Sequence, residues 1–223
     1  MNESPGTKAE VLVLIPARNE AATIGRVVAG CRQAGFSVRV IDDGSSDETA
    51  RLATQAGADV CARSGGNQGK TAALRQGLTQ LPDSIAWIFF LDGDGQHDPS
   101  DLERFWQARA SYDLIVGNRL PDAGHMPFLR RWTNRVMSHL LRQSGIEDSQ
   151  CGFRLVRRVW LGSWLPLGHQ FQFESEMALL AAAHPTRVFN LPIAATYAHE
   201  ASRIAPWRDG INFLRCLLRT RLL

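Results

Sequence analysis

Two carboxylates separated by one glycine follow an apolar run in the segment FFLDGDGQHDP, residues 89–99. If a strand breaks there, Asp92 and Asp94 can point into one crevice and offer the oxygen ligands that Mg²⁺ or Mn²⁺ prefers. The pattern does not match a helix-loop-helix calcium loop, because position 96 is Gln and position 97 is His. A simple turn after a buried strand would also use Gly and Asp. The motif therefore predicts a metal site only if its neighbours support one.

A glycine-rich segment, GGNQGKT at 65–71, invites comparison with phosphate-binding loops. It does not match the P-loop pattern, because position 64 is Ser where that pattern needs Gly. Two interpretations stay open. Either Lys70 and the start of the following helix face a nucleotide phosphate, or the segment is a flexible connection with an exposed lysine.

Acidic residues occur at two further places where they could line a pocket. Asp42 and Asp43 end a predicted strand, where carboxylates commonly accept hydrogen bonds from a ribose or a base. One of the pair could instead form an Asx-turn leading to a helix that Ser46 caps. Glu174 and Glu176 lie two apart on a predicted helix and do not share a face, so at most one would line a pocket.

The elements that position these residues alternate in type along the first half of the chain. Strands are predicted at 11–15, 38–42, 58–62, 85–91 and 113–117, and helices at 20–34, 47–55, 70–80 and 99–110. Near-continuous apolar strands alternating with helices predict an α/β fold with a mostly parallel, twisted sheet covered by helices.

The second half is less regular. Helices are predicted at 128–143, at 173–183 and from about 207, with strands near 153 and at 187–191. In open α/β sheets, ligands bind outside the carboxyl ends of the strands. That rule places five polar clusters along one edge of the sheet: PARNE (16–20), DDGSSD (42–47), GGNQGK (65–70), DGDGQ (92–96) and NR (118–119).

Composition excludes several other classes of protein. With 223 residues, 44% of them hydrophobic and 21% charged, the chain can form a substantial core and is not of the disordered type. The longest apolar run, 85–91, is too short to span a membrane. The polar N-terminus lacks a signal-peptide pattern, and the scattered cysteines include no CxxC pair, which predicts a cytoplasmic protein with reduced thiols.

The basic residues are almost all arginines, and they concentrate late in the chain. Residues 119–142 hold five arginines against Asp122, and residues 203–221 hold five against Asp209. Both stretches could meet an anionic partner. Nucleic acid is disfavoured, because net charge is only +3 and no recognisable binding module is present. The segment WRDGINFLRCLLRTRLL could lie on an anionic membrane surface or pack on the domain.

Taken together, the segments IPARNE, VIDDGSSDET, GNQGKTAAL, LDGDGQHDP, VGNR and DSQCGFR resemble the inverting nucleotide-sugar glycosyltransferases of the GT-A fold. The similarity is greatest to the polyprenyl- and dolichyl-phosphate sugar synthases and extends from Val11 to about Arg208. It implies a Rossmann-like GT-A domain at 10–223 after a flexible N-terminus at 1–9. Within that domain, 10–118 would bind the nucleotide and 119–223 would form an acceptor-side extension.

The resemblance also implies roles for individual residues. The nucleotide-sugar would be held by Pro16, Ala17, Asn19, Glu20, Asp42, Lys70, Asp92 and Arg203. The metal, Mg or Mn, would be bound by Asp92, Asp94 and Gln96. Arg119, Arg130 and Asn134 would bind the acceptor phosphate. Catalysis would depend on Asp94, Arg119, Arg130 and Asp148.

The predicted reaction is transfer of a sugar from a UDP- or GDP-sugar to a lipid phosphate, with inversion at the anomeric carbon. A phosphate oxygen is already anionic, so this reaction needs no strong general base. For a soluble or glycan hydroxyl acceptor a base would help, and Asp148 is the candidate. A catalytically silent nucleotide-sugar binding protein is a third possibility. The location predicted for a lipid-phosphate enzyme is the inner face of the membrane, as a peripheral cytoplasmic protein.

Overall fold

The computed structural model describes residues 6–62, 66–121, 128–162, 164–165 and 173–194, with the backbone alone for 128–130. Arg203 and the helix predicted from about 207 therefore lie outside the described residues. Part of the stretch predicted to be flexible, 1–9, is described: the Lys8 ammonium donates to the Ala34 carbonyl at 2.8 Å and pairs with Glu103 at 2.7 Å. None of the described helices is long and apolar enough to cross a membrane.

One twisted sheet organises the described residues. Its strands are β1 (Val11–Ala17), β2 (Ser37–Asp42), β3 (Asp59–Ala62), β4 (Trp87–Phe90), β5 (Leu114–Asn118), β6 (Arg154–Arg157) and β7 (Val188–Pro192). They lie in the order β3-β2-β1-β4-β6-β5-β7, and every neighbouring pair is parallel except those that include β6. The predicted mostly parallel α/β sheet is confirmed.

The described helices flank this sheet. They are α1 (Ile24–Gln33), α2 (Thr49–Gln55), α3 (Lys70–Thr79), α4 (Leu102–Ala108), α5 (Phe128–Leu140), α6 (Arg158–Leu161) and α7 (Phe173–Ala183). The prediction for α7 had the same bounds, whereas the single turn α6 was not predicted. Pro99 begins a 3-10 turn that leads into α4, capped by the Asp98 carboxylate.

The helices α1 and α2 begin later than the sequence predicted, and hydrogen bonds from side chains to the backbone explain why. The backbone N–H groups of Glu20 and Ala21 donate to the Thr49 hydroxyl and the Asp47 carboxylate, so they do not enter α1. The Asp47 carboxylate also accepts from the backbone of Thr49, which begins α2. Ser46, the predicted cap, instead donates its backbone N–H to the Asn19 side chain.

The core lies on both faces of the central strands. All residues of β4 and β5 are buried, as are the first five of β1, Val11 to Ile15. Aromatic rings fill the space between β4 and α4: Phe89 meets Phe105 edge to face with centroids 5.9 Å apart, and Phe105 stacks on Phe153 at 4.3 Å. This packing holds β4 against α4 and so positions Asp92, which follows the strand.

The one antiparallel strand changes what reaches the binding edge of the sheet. Parallel strands bring their carboxyl ends to that edge, which places Ala17, Asp42 and Leu91 there. Because β6 runs the opposite way between β4 and β5, its amino end reaches the same edge. The CGFR segment, residues 151–154, is thereby brought beside the DGD segment.

Helix α3 packs closely on β1 at Gly77. A Cβ atom at this position would lie 2.5 Å from Leu14 Cδ1, and Leu14 is completely buried. A glycine here lets the helix approach the sheet. By contrast, Gly25 in α1 has no atom within 4 Å of an added Cβ.

We expect Gly77→Ala to lower the free energy of unfolding by about 1–3 kcal/mol, because the added methyl overpacks a rigid core. The matched variant Gly25→Ala should raise it by about 0.5–1 kcal/mol, since alanine is the better helix former where space is open. Urea unfolding followed by circular dichroism measures both. Equal effects from the two substitutions would contradict the close approach at Gly77.

Candidate active site

An ion triplet lies at the binding edge. The ammonium of Lys70, the first residue of α3, is 2.5 Å from Asp92 Oδ1 and 2.6 Å from Glu174 Oε1. Asp92 follows β4, and Glu174 lies in the first turn of α7. Three elements distant in sequence therefore converge on one cation. The open question about Lys70 is answered in part, since its side chain is neither exposed nor unpaired.

The charges in the triplet reinforce one another. Burial by itself would lower the pKa of Lys70, but the charges and hydrogen bonds of Asp92 and Glu174 outweigh it and hold that pKa above its ordinary value. Burial would likewise raise the pKa of Asp92, but Lys70 holds it below the ordinary range, with His97 and Arg119 contributing. Lys70 is therefore a cation and Asp92 an anion at neutral pH.

Gly152 closes one side of the triplet. A Cβ atom there would lie 2.4 Å from Asp92 Oδ2 and 3.0 Å from the Lys70 ammonium. Only glycine allows the backbone before β6 to pass this close to the carboxylate. The glycine of CGFR is thus required by packing against the site.

A second buried cluster surrounds Asp148. Its carboxylate accepts from Arg119 Nε at 2.7 Å, from Arg119 Nη2 at 2.9 Å and from the Arg119 backbone N–H at 3.1 Å. Asn134 Nδ2 on α5 also donates to it, at 2.7 Å. Asp148 is 0% exposed, Asn134 2% and Arg119 4%. The pair is bidentate, the strongest geometry for an arginine and a carboxylate.

The surroundings of Asp148 make it a poor proton acceptor. Burial would raise its pKa, but the hydrogen bonds and charge of Arg119, with Asn134, outweigh burial and hold the pKa below its ordinary value. Four hydrogen bonds already engage its two oxygens. The cluster fixes the orientation of the Arg119 guanidinium.

Arg154 is buried next to the segments that carry both clusters. It is fully buried, and its guanidinium donates to the carbonyl oxygens of Cys151, Ser149 and Glu174. Its charge is therefore solvated by backbone carbonyls of the loop before β6 and of the first turn of α7. Arginine, with five donors, suits such a multiple contact.

The predicted metal ligands lie together at the end of β4. Asp94 Oδ1 accepts from the Gln96 backbone N–H at 3.0 Å, and the Gly93 carbonyl accepts from the Thr23 hydroxyl at 2.7 Å. The described residues contain no group of three or more His, Cys, Asp and Glu side chains that could hold a metal ion. Two carboxylates and an amide oxygen fit Mg²⁺ or Mn²⁺, which commonly complete their coordination with water and substrate phosphate.

The predicted nucleoside-binding segments, 16–20 and 42–47, are joined to each other. Asn19 has a positive φ of 55°, and its side chain accepts from the Ser46 backbone N–H at 2.9 Å. The Asp42 carboxylate accepts from the Ser45 backbone N–H at 2.9 Å, which makes it the Asx-turn member of the acidic pair. Pro16 and Ala17 end β1 beside them.

Asp43 has a different function from Asp42. Its carboxylate accepts from the backbone N–H groups of Gln68 and Gly69, at 3.1 and 2.6 Å. It thereby anchors the end of the glycine-rich loop directly before α3. The loop is held against β2 at the point where Lys70 enters the site.

His97 lies under this edge and not at its surface. It is 5% exposed, its ring is 5.6 Å from that of Phe153, and within the described residues its Nδ1 has no hydrogen-bond partner. Burial, with the charge of Arg119, lowers its pKa to about 4, so the ring is neutral at neutral pH. A buried, neutral ring under the edge is a structural residue of the segment between β4 and α4.

Sequence reasoning did not foresee three contacts that shape the site: the anchoring of the glycine-rich loop by Asp43, the pairing of Glu174 with Lys70, and the close approach of Gly152 to Asp92. Glu174 could have been found, because a carboxylate in the first turn of a helix facing the binding edge is a candidate for any cation there. The prediction that at most one of Glu174 and Glu176 lines a pocket is compatible with this geometry. The Arg130 side chain and Arg203 lie outside the described residues, so their predicted roles remain predictions.

Comparison with known proteins supports the assignment of the fold. Residues 12–163 match Glycosyl transferase family 2, so the chain belongs to that family and is a glycosyltransferase. Glycosyltransferase AglJ of Haloferax volcanii is 32% identical over 95% of this chain and 72% of its own length. An undecaprenyl-phosphate 4-deoxy-4-formamido-L-arabinose transferase of Pseudomonas fluorescens is 29% identical over 89% of this chain and 61% of its own length.

Solved structures share the same architecture. Mannosyl-3-phosphoglycerate synthase from Rubrobacter xylanophilus superposes with a TM-score of 0.72 at 18% identity, covering 94% of this chain and 72% of that one. Glucosyl-3-phosphoglycerate synthase from Mycobacterium tuberculosis, crystallised with Mn²⁺, UDP-glucose and glycerol 3-phosphate, superposes with a TM-score of 0.70 at 18% identity over 94% and 79%. The predicted GT-A fold is confirmed.

We expect Lys70→Met to lower the free energy of unfolding at pH 7 by roughly 3 kcal/mol, because the buried Glu174 carboxylate and the partly buried Asp92 carboxylate remain without their cation. Without Lys70, burial is no longer opposed by its main counter-charge and should raise the pKa of Asp92 in the folded state, so protonation of Asp92 relieves part of the loss. The deficit should therefore shrink as pH falls from neutral toward about 4.

Urea unfolding at several pH values measures this, with Lys8→Met as the matched control. Lys8 pairs with Glu103 at 2.7 Å, but both side chains are more than a third exposed, so its loss should cost at most about 1 kcal/mol. A deficit for Lys70→Met that is the same at every pH would argue against the buried triplet.

Proposed function

We propose that this glycosyltransferase transfers a sugar from a UDP- or GDP-sugar to a polyprenyl-phosphate-type lipid, with a divalent metal and with inversion. The observation that carries the proposal is the state of Asp148. A carboxylate with a lowered pKa and four hydrogen bonds is suited to holding an arginine. It is poorly suited to removing a proton from a hydroxyl acceptor.

An acceptor phosphate makes different demands on a site from those of a hydroxyl. Its oxygen is already anionic, so the site must offset repulsion from the donor diphosphate and orient the nucleophile. Arg119 carries a fixed charge close enough to lower the pKa of Asp92. We assign Arg119 to the acceptor phosphate, together with Asn134, which donates to the same Asp148 carboxylate. Arg130 is assigned to that phosphate from the resemblance.

The donor would occupy the edge between β1, β2 and β4. Asn19, Glu20, Asp42, Pro16 and Ala17 would hold the nucleoside, and Arg203 would meet the diphosphate. Asp92, Asp94 and Gln96 would hold Mg²⁺ or Mn²⁺, whose charge when bound offsets the negative charge developing on the leaving diphosphate. Lys70 would then bind the donor through its place beside Asp92.

The bond changes balance without a protein base. An acceptor phosphate oxygen forms a bond to the anomeric carbon as the bond from that carbon to the nucleoside diphosphate breaks. The electron pair of the broken bond leaves with the diphosphate, and no proton is transferred. Attack from the side opposite the leaving group inverts the anomeric centre.

The relatives support this acceptor class without deciding it. The undecaprenyl-phosphate transferase of Pseudomonas fluorescens is named for a lipid phosphate, and we extend that chemistry to this chain. The 3-phosphoglycerate synthases are named for soluble acceptors. A hydroxyl acceptor with Asp148 as base is therefore the second candidate, and a silent nucleotide-sugar binding protein the third. The lipid acceptor implies a peripheral location at the inner membrane face.

We expect Asp94→Ala to lower sugar transfer by at least about 10²-fold, because the leaving diphosphate loses charge stabilisation. Transfer from UDP- and GDP-sugars to a polyprenyl phosphate in detergent, with Mn²⁺ or Mg²⁺, measures it. Asp98→Ala is the matched control, since Asp98 is exposed and caps a 3-10 turn. That control should cost about 1 kcal/mol of stability and keep activity. Near wild-type transfer by Asp94→Ala, with the metal requirement kept, would contradict the role of Asp94 as a metal ligand.

We expect Asp148→Asn to lower kcat/KM by up to about 10²-fold, mainly through KM for the acceptor, because Arg119 is misplaced. The acid limb of the pH profile should persist, since it reports the acceptor phosphate, whose second pKa is about 6. Initial rates against pH test this, with donor-induced thermal stabilisation as the check on folding.

The hydroxyl-acceptor reaction predicts a different result for the same variant. If Asp148 were the base, kcat would fall by about 10²–10⁴-fold and the acid limb would disappear with the carboxylate. Transfer to a hydroxyl acceptor by the wild type, with none to polyprenyl phosphate, would overturn the lipid assignment.

A further inference from the structure

Helix α5 presents an apolar stripe to solvent. Trp132 is 58% exposed, Val136 39% and Leu140 56%. Their spacing of four residues places them on one side of the helix. Large apolar side chains aligned in this way indicate a surface that contacts something other than water.

The opposite side of the same helix is fixed to the active site. Asn134 is 2% exposed and donates to Asp148, and the Ser138 hydroxyl accepts from the Ser149 backbone N–H at 3.0 Å. The stripe is therefore on a helix whose inner side forms the Arg119 cluster. A partner on the stripe would therefore lie about one helix diameter, roughly 10 Å, from the Arg119 cluster.

Positive charge flanks the stripe. Arg135 and Arg142 are exposed, and Arg131 is partly exposed. The sequence has no Asp or Glu between Asp122 and Glu147. An amphipathic helix with a tryptophan, apolar residues and arginines, and without acids, fits the interface of an anionic bilayer.

A groove runs along the basic flank. It is open to solvent, has a volume of about 460 Å³, and its lining includes Leu120, Arg135, Ser138, Arg142, Ile146 and Glu147. The Glu147 carboxylate accepts from Asn118 Nδ2 at 2.6 Å. The groove is large enough for a phosphate headgroup between the two arginines.

We propose that the outward face of α5, defined by Trp132, Arg135, Val136 and Leu140 together with Arg142 in the turn that follows the helix, is the surface by which the enzyme docks on an anionic lipid bilayer. This inference rests on the proposed function, because a lipid-phosphate acceptor would lie in the bilayer on which the enzyme docks. Trp132, Val136 and Leu140 enter the headgroup region, and the arginines contact lipid phosphates.

Two other occupants fit the charges less well. Residues 203–221 of this chain carry five arginines against Asp209, so packing them on the α5 face would place like charges together. A symmetric dimer through this face would oppose Arg135 and Arg142 of one copy to those of the other, since a two-fold interface pairs the same patch with itself. Anionic phosphates complement the face.

Vesicle flotation of the full chain tests the proposal. Wild type should bind vesicles containing phosphatidylglycerol at low salt, and much less at high salt or on pure phosphatidylcholine. Trp132→Glu with Val136→Glu should reduce binding by about tenfold or more, and Arg135→Gln with Arg142→Gln by about fivefold per arginine. The matched control is Val159→Glu, at a 75% exposed valine on α6, which should bind as wild type does.

A second measurement does not depend on weakened variants. Brominated phosphatidylglycerol should quench tryptophan fluorescence of wild type, and Trp132→Phe should keep flotation while losing much of that quenching. Unchanged flotation of both double variants would overturn the proposal. So would loss of binding only on deletion of residues 203–223, or conversion of a dimer to a monomer by the Trp132 and Val136 substitutions without vesicle binding.

The outcome is separable from the proposed reaction. Transfer to polyprenyl phosphate in detergent needs no bilayer, so it should survive the substitutions on the α5 face. If wild type transfers sugar to polyprenyl phosphate but never binds vesicles, the α5 surface is wrong and the reaction stands. If it binds vesicles through this face but transfers only to a hydroxyl acceptor, the surface stands and the reaction is wrong.

Discussion

The arrangement of the site depends on one cation, the Lys70 ammonium, held between Asp92 and Glu174. A carboxylate at a strand end is costly to bury alone, and two within reach of each other would repel. Lys70 removes both problems and joins the amino ends of α3 and α7 to the end of β4. Asp43 keeps it there by anchoring the loop before α3, and Gly152 leaves the space that the carboxylate requires.

A second constraint comes from strand direction. An all-parallel sheet would place only the carboxyl ends of strands at the binding edge, whereas the antiparallel β6 adds an amino end. The loop before β6 therefore supplies Asp148 and Gly152 to the side of the site nearest Arg119. Arg154, the first residue of β6, is buried beneath that loop and binds three of its surrounding carbonyls. One reversed strand thus adds the Arg119–Asp148 cluster to an edge otherwise formed by the carboxyl ends of parallel strands.

Much of this could be predicted from the sequence, because its local patterns carry the information. Alternating apolar strands and helices gave the sheet, and polar clusters after strand ends gave its binding edge. The direction of β6 could not be read, since a short strand near 153 has no local mark of direction. The pairing of Lys70 with Glu174 could not be predicted either, because the two residues lie 104 positions apart. A glycine-rich loop that enters a helix predicts only a phosphate contact. The start of α1 was misplaced because side chains of the loop after β2 accept from the backbone of the loop after β1. The start of α2 was misplaced because the Asp47 carboxylate accepts from the Thr49 backbone.

That separation of 104 residues between Lys70 and Glu174 has a consequence for how the protein is made. A chain emerging from the ribosome completes β1, β2, β3 and β4 long before α7 exists. During that interval Lys70 and Asp92 lack their third partner, and the edge of β4 where β6 later pairs is open. An exposed strand edge can pair with other chains, and contacts between distant residues form slowly. The last third of the chain therefore completes the ion triplet through α7. Through β6 it also covers the strand edge by which the incomplete sheet is most prone to aggregate.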